Sequence, residues 1–315
     1  MVGVDANWVH LTGVNRRTFL AATSSCLGAG PLSAIGPFTR KGDPRLLLGL
    51  AAYSFRKQMR WMKGKPNPEL KEGEGWDLFS FIDYCADHGC AGAELTSYFF
   101  PPEFGPDYLL KLKRHAYLRG VAISGTAVGN VFTHPEGGAR RREINHVKDW
   151  IRHAALMGAP HIRVFAGNAP KGMSQQEAEK NFLECYAECL ELAAKEGIFL
   201  GLENHGGIVS EADALVRLMK AIDSPWAGIN LDSGNFHTED PYGDLAKIAP
   251  YAVNVQMKIE LQKKGADKPE AMNVPQLLKI LRNANYQGWF ILEYEGSEDA
   301  EASVPIILRD LATHL

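Results

Sequence analysis

One pattern constrains this chain more than any other. A short apolar run that does not alternate with polar residues ends in a polar group, and this happens four times in succession. Gly197-Ile198-Phe199-Leu200-Gly201-Leu202 runs into Glu203-Asn204-His205 and then two glycines. Gly228-Ile229-Asn230-Leu231 ends in Asp232, Val253-Asn254-Val255 in Gln256-Met257-Lys258, and Trp289-Phe290-Ile291-Leu292 in Glu293. Apolar runs without alternation read as strands covered on both faces, the signature of a parallel sheet packed between helices. Acids and an amide at the C-terminal ends of such strands point to a cation held at the mouth of a parallel barrel.

The rest of the chain repeats the unit. Strands are expected at 46–53, 91–96, 121–126 and 161–165. Helices are expected at 76–88, 107–119, 140–157 and 174–196, the last with Ser174 as N-cap and Glu177 completing a capping box. Further helices follow at 210–221, 243–248, 274–283 and 300–315. About eight strand–helix units in 315 residues fit a single-domain (β/α)8 TIM barrel over residues 44–315. A doubly wound open sheet is the competing architecture. No G-x-G-x-x-G follows the first strand, which disfavours its dinucleotide-binding version.

Residues 1–43 read differently. Asn15-Arg16-Arg17-Thr18-Phe19-Leu20 precedes a mildly apolar stretch of small residues, which resembles a twin-arginine export signal. The expectation is an exported, periplasmic protein with a signal and linker over 1–43. A helical or unstructured extension is the alternative. No apolar run approaches the length of a membrane span. A net charge of −3 provides no electrostatic case for nucleic acid. Cys185 and Cys189 are one helical turn apart among apolar neighbours and read as buried free thiols.

A parallel barrel would bring Glu203, Asp232 and Glu293 to one face. Three carboxylates in a dry mouth repel one another and stay ionised only beside a cation. The oxygen-rich set favours Mn2+, Mg2+ or Co2+ over a structural Zn2+. The alternative is that each acid is paired separately with an Arg or Lys. His161, at the start of its strand, reads as structural. The aromatic residues Tyr98-Phe99-Phe100 would stack on a sugar ring or pack on the rim.

From about residue 46 to the end, the chain resembles the sugar phosphate isomerase/epimerase group of xylose-isomerase-like TIM barrels. The carriers are Leu202-Glu203-Asn204, Leu231-Asp232-Ser233-Gly234-Asn235, Val255-Gln256-Met257-Lys258 and Leu292-Glu293-Tyr294-Glu295-Gly296, with Arg163 and Glu94. The resemblance implies one divalent metal ion, Mn2+ favoured and Mg2+, Co2+ or Zn2+ as alternatives, held by Glu203, Asp232, Gln256 and Glu293. It implies Glu203 and Glu293 as the proton-transfer pair. Two positions depart from the family pattern: Gln256 stands where His is usual, and Asn235 replaces a frequent His, with His237 two residues on.

The chemistry implied is an isomerase or epimerase acting on a sugar, keto-sugar or cyclitol. A proton would be removed beside a carbonyl through an enediolate. His205 and Lys258 join the catalytic candidates, and Arg163, Glu94, His237 and Asn235 the substrate contacts. A lyase or dehydratase on a keto-glycoside or inosose is the near alternative, and a non-catalytic sugar-binding barrel a third. The partner expected is a small carbohydrate. Barrels of this group often pair through their outer helices, so a homo-oligomer is a further expectation.

Overall fold

The computed structural model describes residues 35–315; the twin-arginine motif lies outside them. Eight parallel strands close into a barrel. They are β1 (Arg45–Ala51), β2 (Gly92–Thr96), β3 (Ala122–Ala127), β4 (His161–Val164), β5 (Phe199–Glu203), β6 (Ala227–Asp232), β7 (Ala252–Met257) and β8 (Gln287–Leu292). Every strand pairs with its sequence neighbours, and β1 closes the ring on β8 through the register Arg45–Gln287 to Leu50–Leu292. Between and after them run α1 (Leu78–Asp87), α2 (Pro106–Leu118), α3 (Gly138–Met157), α4 (Gln175–Glu196), α5 (Ala212–Lys220), α6 (Pro241–Ile248), α7 (Val274–Asn283) and α8 (Ala300–Ala312).

The helices form where an apolar stripe can cover the strands. In α4, Ala178, Phe182, Cys185, Tyr186, Cys189, Leu190 and Ala193 are buried at helical spacing. Ser174 and Glu177 form the expected capping box. The helix ends at Gly197, whose left-handed φ of 71° a glycine adopts without steric penalty. Cys85, Cys90, Cys185 and Cys189 are free and buried. The first helix is shorter than its spacing predicts. Asp77 caps α1 by accepting from the Ser80 amide, so Trp76 stays outside and stacks on Phe55 at 4.7 Å.

His161 sits inside the barrel at the start of β4, buried, with neither ring nitrogen hydrogen-bonded among the described residues. Its imidazole fills the space above Gly201, where any Cβ would collide with it. Burial, reinforced by Arg163, pushes its pKa down to about 3, so it is neutral.

Residues 35–43, expected as linker, run across the N-terminal ends of the strands. The Ile35 and Phe38 amides donate to Ile222 O and Pro250 O. Arg40 donates to Ala252 O at 2.5 Å and lies over the Phe38 and Tyr286 rings at 5.1 and 5.2 Å.

Candidate active site

The C-terminal ends of β4 to β8 converge as the sequence pattern requires. Glu203 closes β5 and is buried. One of its carboxylate oxygens lies 2.9 Å from Arg163 Nε of β4. The other sits 2.7 Å from His205 Nδ1 and accepts from Asn235 Nδ2 at 2.8 Å. Burial alone would raise the Glu203 pKa. Arg163 and His205 reverse that and hold it below the usual carboxylate range. The same hydrogen bond raises the His205 pKa, against partial burial.

Asp232 ends β6. Its Oδ1 accepts from the Gly234 amide at 2.8 Å, whereas Oδ2 is buried and takes no hydrogen bond among the described residues. Burial, with Glu203 and Glu293 nearby, pushes its pKa up to about 7 against the pull of Lys258. Asn204 positions it: its side chain donates to Asp232 O and accepts from Asp232 N, both at 2.9 Å.

The cation at the centre of the acids is Lys258. Its Nζ donates to Glu293 Oε2 at 2.6 Å and to Glu295, and stands 3.5 Å from Asp232 Oδ2. Desolvation works against its charge, but Asp232, Glu293 and Glu295 outweigh it and raise the Lys258 pKa well above the ordinary value. Glu295 is a residue the sequence reading did not place. The signal was available, because it follows Glu293 by two and so shares its side of an extended chain.

Gln256, which pairs in register with Asp232, and Glu94 are bonded to each other and to buried amides rather than to the acids around Lys258. Gln256 Nε2 donates to Glu94 Oε1 at 2.7 Å, and its Oε1 accepts from Asn230 at 2.6 Å. Asn254 bridges Asn230 and Glu94 at 2.8 and 3.1 Å. Burial raises the Glu94 pKa to about 7. In this arrangement both amide atoms of Gln256 are engaged by buried partners, and among the described residues the hydrogen bonds of Glu94 go to Gln256 and Asn254. His237 and Asn235 instead line a polar cavity of ≈ 220 Å³, together with Lys258 and Glu295.

The residues fit a hard divalent cation by donor chemistry. Carboxylate oxygens predominate, and a buried Asp232 oxygen has no hydrogen-bond donor among the described residues. As the side chains stand, no three His, Cys, Asp or Glu groups among the described residues are drawn together closely enough to hold a metal. The acids close on Lys258 instead.

Residues 82–311 match the model of the xylose isomerase-like TIM barrel. The chain belongs to that family. Among curated relatives of this barrel, hydroxypyruvate isomerase of Escherichia coli K12 is 23% identical over 49% of this chain and 62% of its own length. The 3-oxo-isoapionate decarboxylase of Pectobacterium atrosepticum is 25% identical over 68% of each protein. The solved IOLI protein, which carries a zinc atom, superposes with a TM-score of 0.66 at 15% identity, covering 85% of this chain and 96% of its own. That likeness supports the fold. The family, together with the isomerase and decarboxylase relatives, supports a sugar-modifying barrel enzyme.

Proposed function

We propose that this barrel is a metal-dependent isomerase or epimerase of a small sugar, keto-sugar or cyclitol, working by proton transfer beside a carbonyl. The observation that supports it best is the placement of Glu203 and Glu293. Their strands, β5 and β8, lie three places apart around a ring of eight, so the two carboxylates face the mouth from different sides. Each has a cation beside it, Arg163 for Glu203 and Lys258 for Glu293.

Ionised Glu203 would take the proton from the carbon next to the carbonyl, or return it. Glu293 would perform the complementary transfer on the other face. Lys258, freed from one of its three acids, would hold the developing oxyanion. His205 would hold the Glu203 carboxylate in orientation, and Asn235 and His237 would bind substrate hydroxyls from the polar cavity. Glu203, Asp232 and Glu293 would hold the divalent ion, with Mn2+ the favoured metal. When bound, it would polarise the substrate carbonyl. Gln256 would join them only by exchanging its bond to Asn230.

A lyase is the second reading, favoured by the decarboxylase relative. Both pass through an anion beside a carbonyl, formed by loss of a proton in the isomerase and of carbon dioxide in a decarboxylase.

The test is deuterium uptake from D2O into keto-sugars and inososes. Label beside the carbonyl is expected with the wild type. Glu203→Gln and Glu293→Gln, both folded, should each lower its rate by about 100-fold or more. Unchanged exchange in either variant would remove that carboxylate from the chemistry.

A further inference from the structure

A second and larger cavity, ≈ 540 Å³, opens at the same end of the barrel. Its walls come from five separate stretches, one of them Lys63-Gly64 in the loop after β1. Tyr98, Phe100 and Phe104 follow β2, Gly129 to Val131 follow β3, Phe165 follows β4, and Trp150 projects from α3. Five aromatic rings, Tyr98, Phe100, Phe104, Trp150 and Phe165, stand in its walls, and none of the strand-end acids lines them. Phe100 and Trp150 meet edge to face at 4.9 Å, and Phe104 lies 5.9 Å from Trp150. Gly129 leaves room for the Tyr98 hydroxyl, which a Cβ there would strike.

Phe165 joins this cavity to the acids. Its ring lies 3.9 Å beneath the Arg163 guanidinium and 4.4 Å from the His205 imidazole, both partners of Glu203. Its backbone is pinned on both sides by the buried side chain of Asn130, at 2.8 and 2.9 Å. His205 therefore stands between the two spaces. Asn235, from the polar cavity, touches it on one side, and Phe165, from the aromatic cavity, on the other. A rigid aromatic wall beside a charged centre is the arrangement that binds an amphipathic ligand with one polar and one apolar part.

We infer that the aromatic cavity is a subsite for a planar apolar group carried by the sugar, so that the substrate is an aryl-substituted sugar rather than a free one. The inference rests on the proposed sugar chemistry for its polar half. The ring would lie against Phe104, Trp150 and Phe165 while the sugar faces Lys258 and Glu203.

Calorimetric titration of the whole protein with 4-nitrophenyl β-D-glucopyranoside and methyl β-D-glucopyranoside tests it. The aryl glucoside should bind at least about 10-fold more tightly, as burial of one ring implies. Val131→Trp, which fills the cavity, should erase that advantage and leave methyl glucoside binding unchanged. Phe104→Ala, at the partly buried edge, should reduce it and serves if the first variant does not fold. Equal affinities, an advantage that survives both variants, or no aryl glucoside binding at millimolar concentration would overturn the subsite. Deuterium uptake is scored separately. Aryl preference without exchange keeps the subsite and removes the proton chemistry; exchange without aryl preference does the reverse.

Discussion

Lys258 decides the electrostatics of the mouth. Three acids surround one ammonium, and among the described residues no other cation lies within salt-bridge distance of the fully buried Asp232. Replacing the lysine would leave buried negative charge uncompensated. Lys258→Met is therefore expected to lower unfolding stability by about 3 kcal/mol in metal-free urea titrations. Added Mn2+ should restore much of that loss, because a cation that binds only the folded state stabilises it by mass action. A variant as stable as the wild type without metal would show that the acids are neutralised by protonation. His161 makes a second prediction at this scale. Its folded pKa is about 3 against an ordinary 6.5. Below 6.5 the unfolded chain takes up a proton that the folded chain refuses, so stability falls as pH drops through this window and levels off near the folded value. The contribution is at most about 1.4 kcal/mol per pH unit. His161→Gln should show a shallower loss of stability between about pH 6 and pH 4, read from urea midpoints; an unchanged slope would mean that His161 is protonated in the fold.

Among the elements, α4 was the most readable in advance. Its apolar stripe, its capping box and its terminal glycine agree with one another, so local signals were enough. Ser174→Ala should destabilise the protein by about 1 kcal/mol, seen as a lower urea midpoint with an unchanged slope. A neutral result would mean that packing alone fixes the start of the helix. The strand tips were equally readable, since apolar runs ending in Glu203, Asp232 and Glu293 leave little choice of direction. The start of α1 was not. Helical spacing includes Trp76, but Asp77 satisfies the Ser80 amide and Trp76 gains more by stacking on Phe55. Capping overrode periodicity there.

Across the whole molecule, residues 35–43 behave as part of the barrel. Arg40 and Phe38 lie under β7 and β8, and Gln287 donates to Lys41 O and Asp43 O. A chain starting at residue 44 is expected to melt several degrees below one starting at 35, since loss of about 1 kcal/mol shifts a domain of this size by roughly 2–4 °C. Equal melting temperatures would make the segment a passive strap.

The sequence by itself determined the alternation of strands and helices, the closed parallel barrel, and the end of the barrel on which the acids stand. Those follow from local patterning, because side-chain direction and burial repeat with each element's own period. It could not determine which partner each acid takes. Glu94 meets Gln256 across 162 residues, and Lys258 meets Glu295 across 37. Such pairs are fixed only when the ring closes and the register of each strand sets the depth of its side chains. Closure brings Gln256 to Glu94, draws Lys258 between three carboxylates, and stands Phe165 as the wall between a polar and an aromatic space.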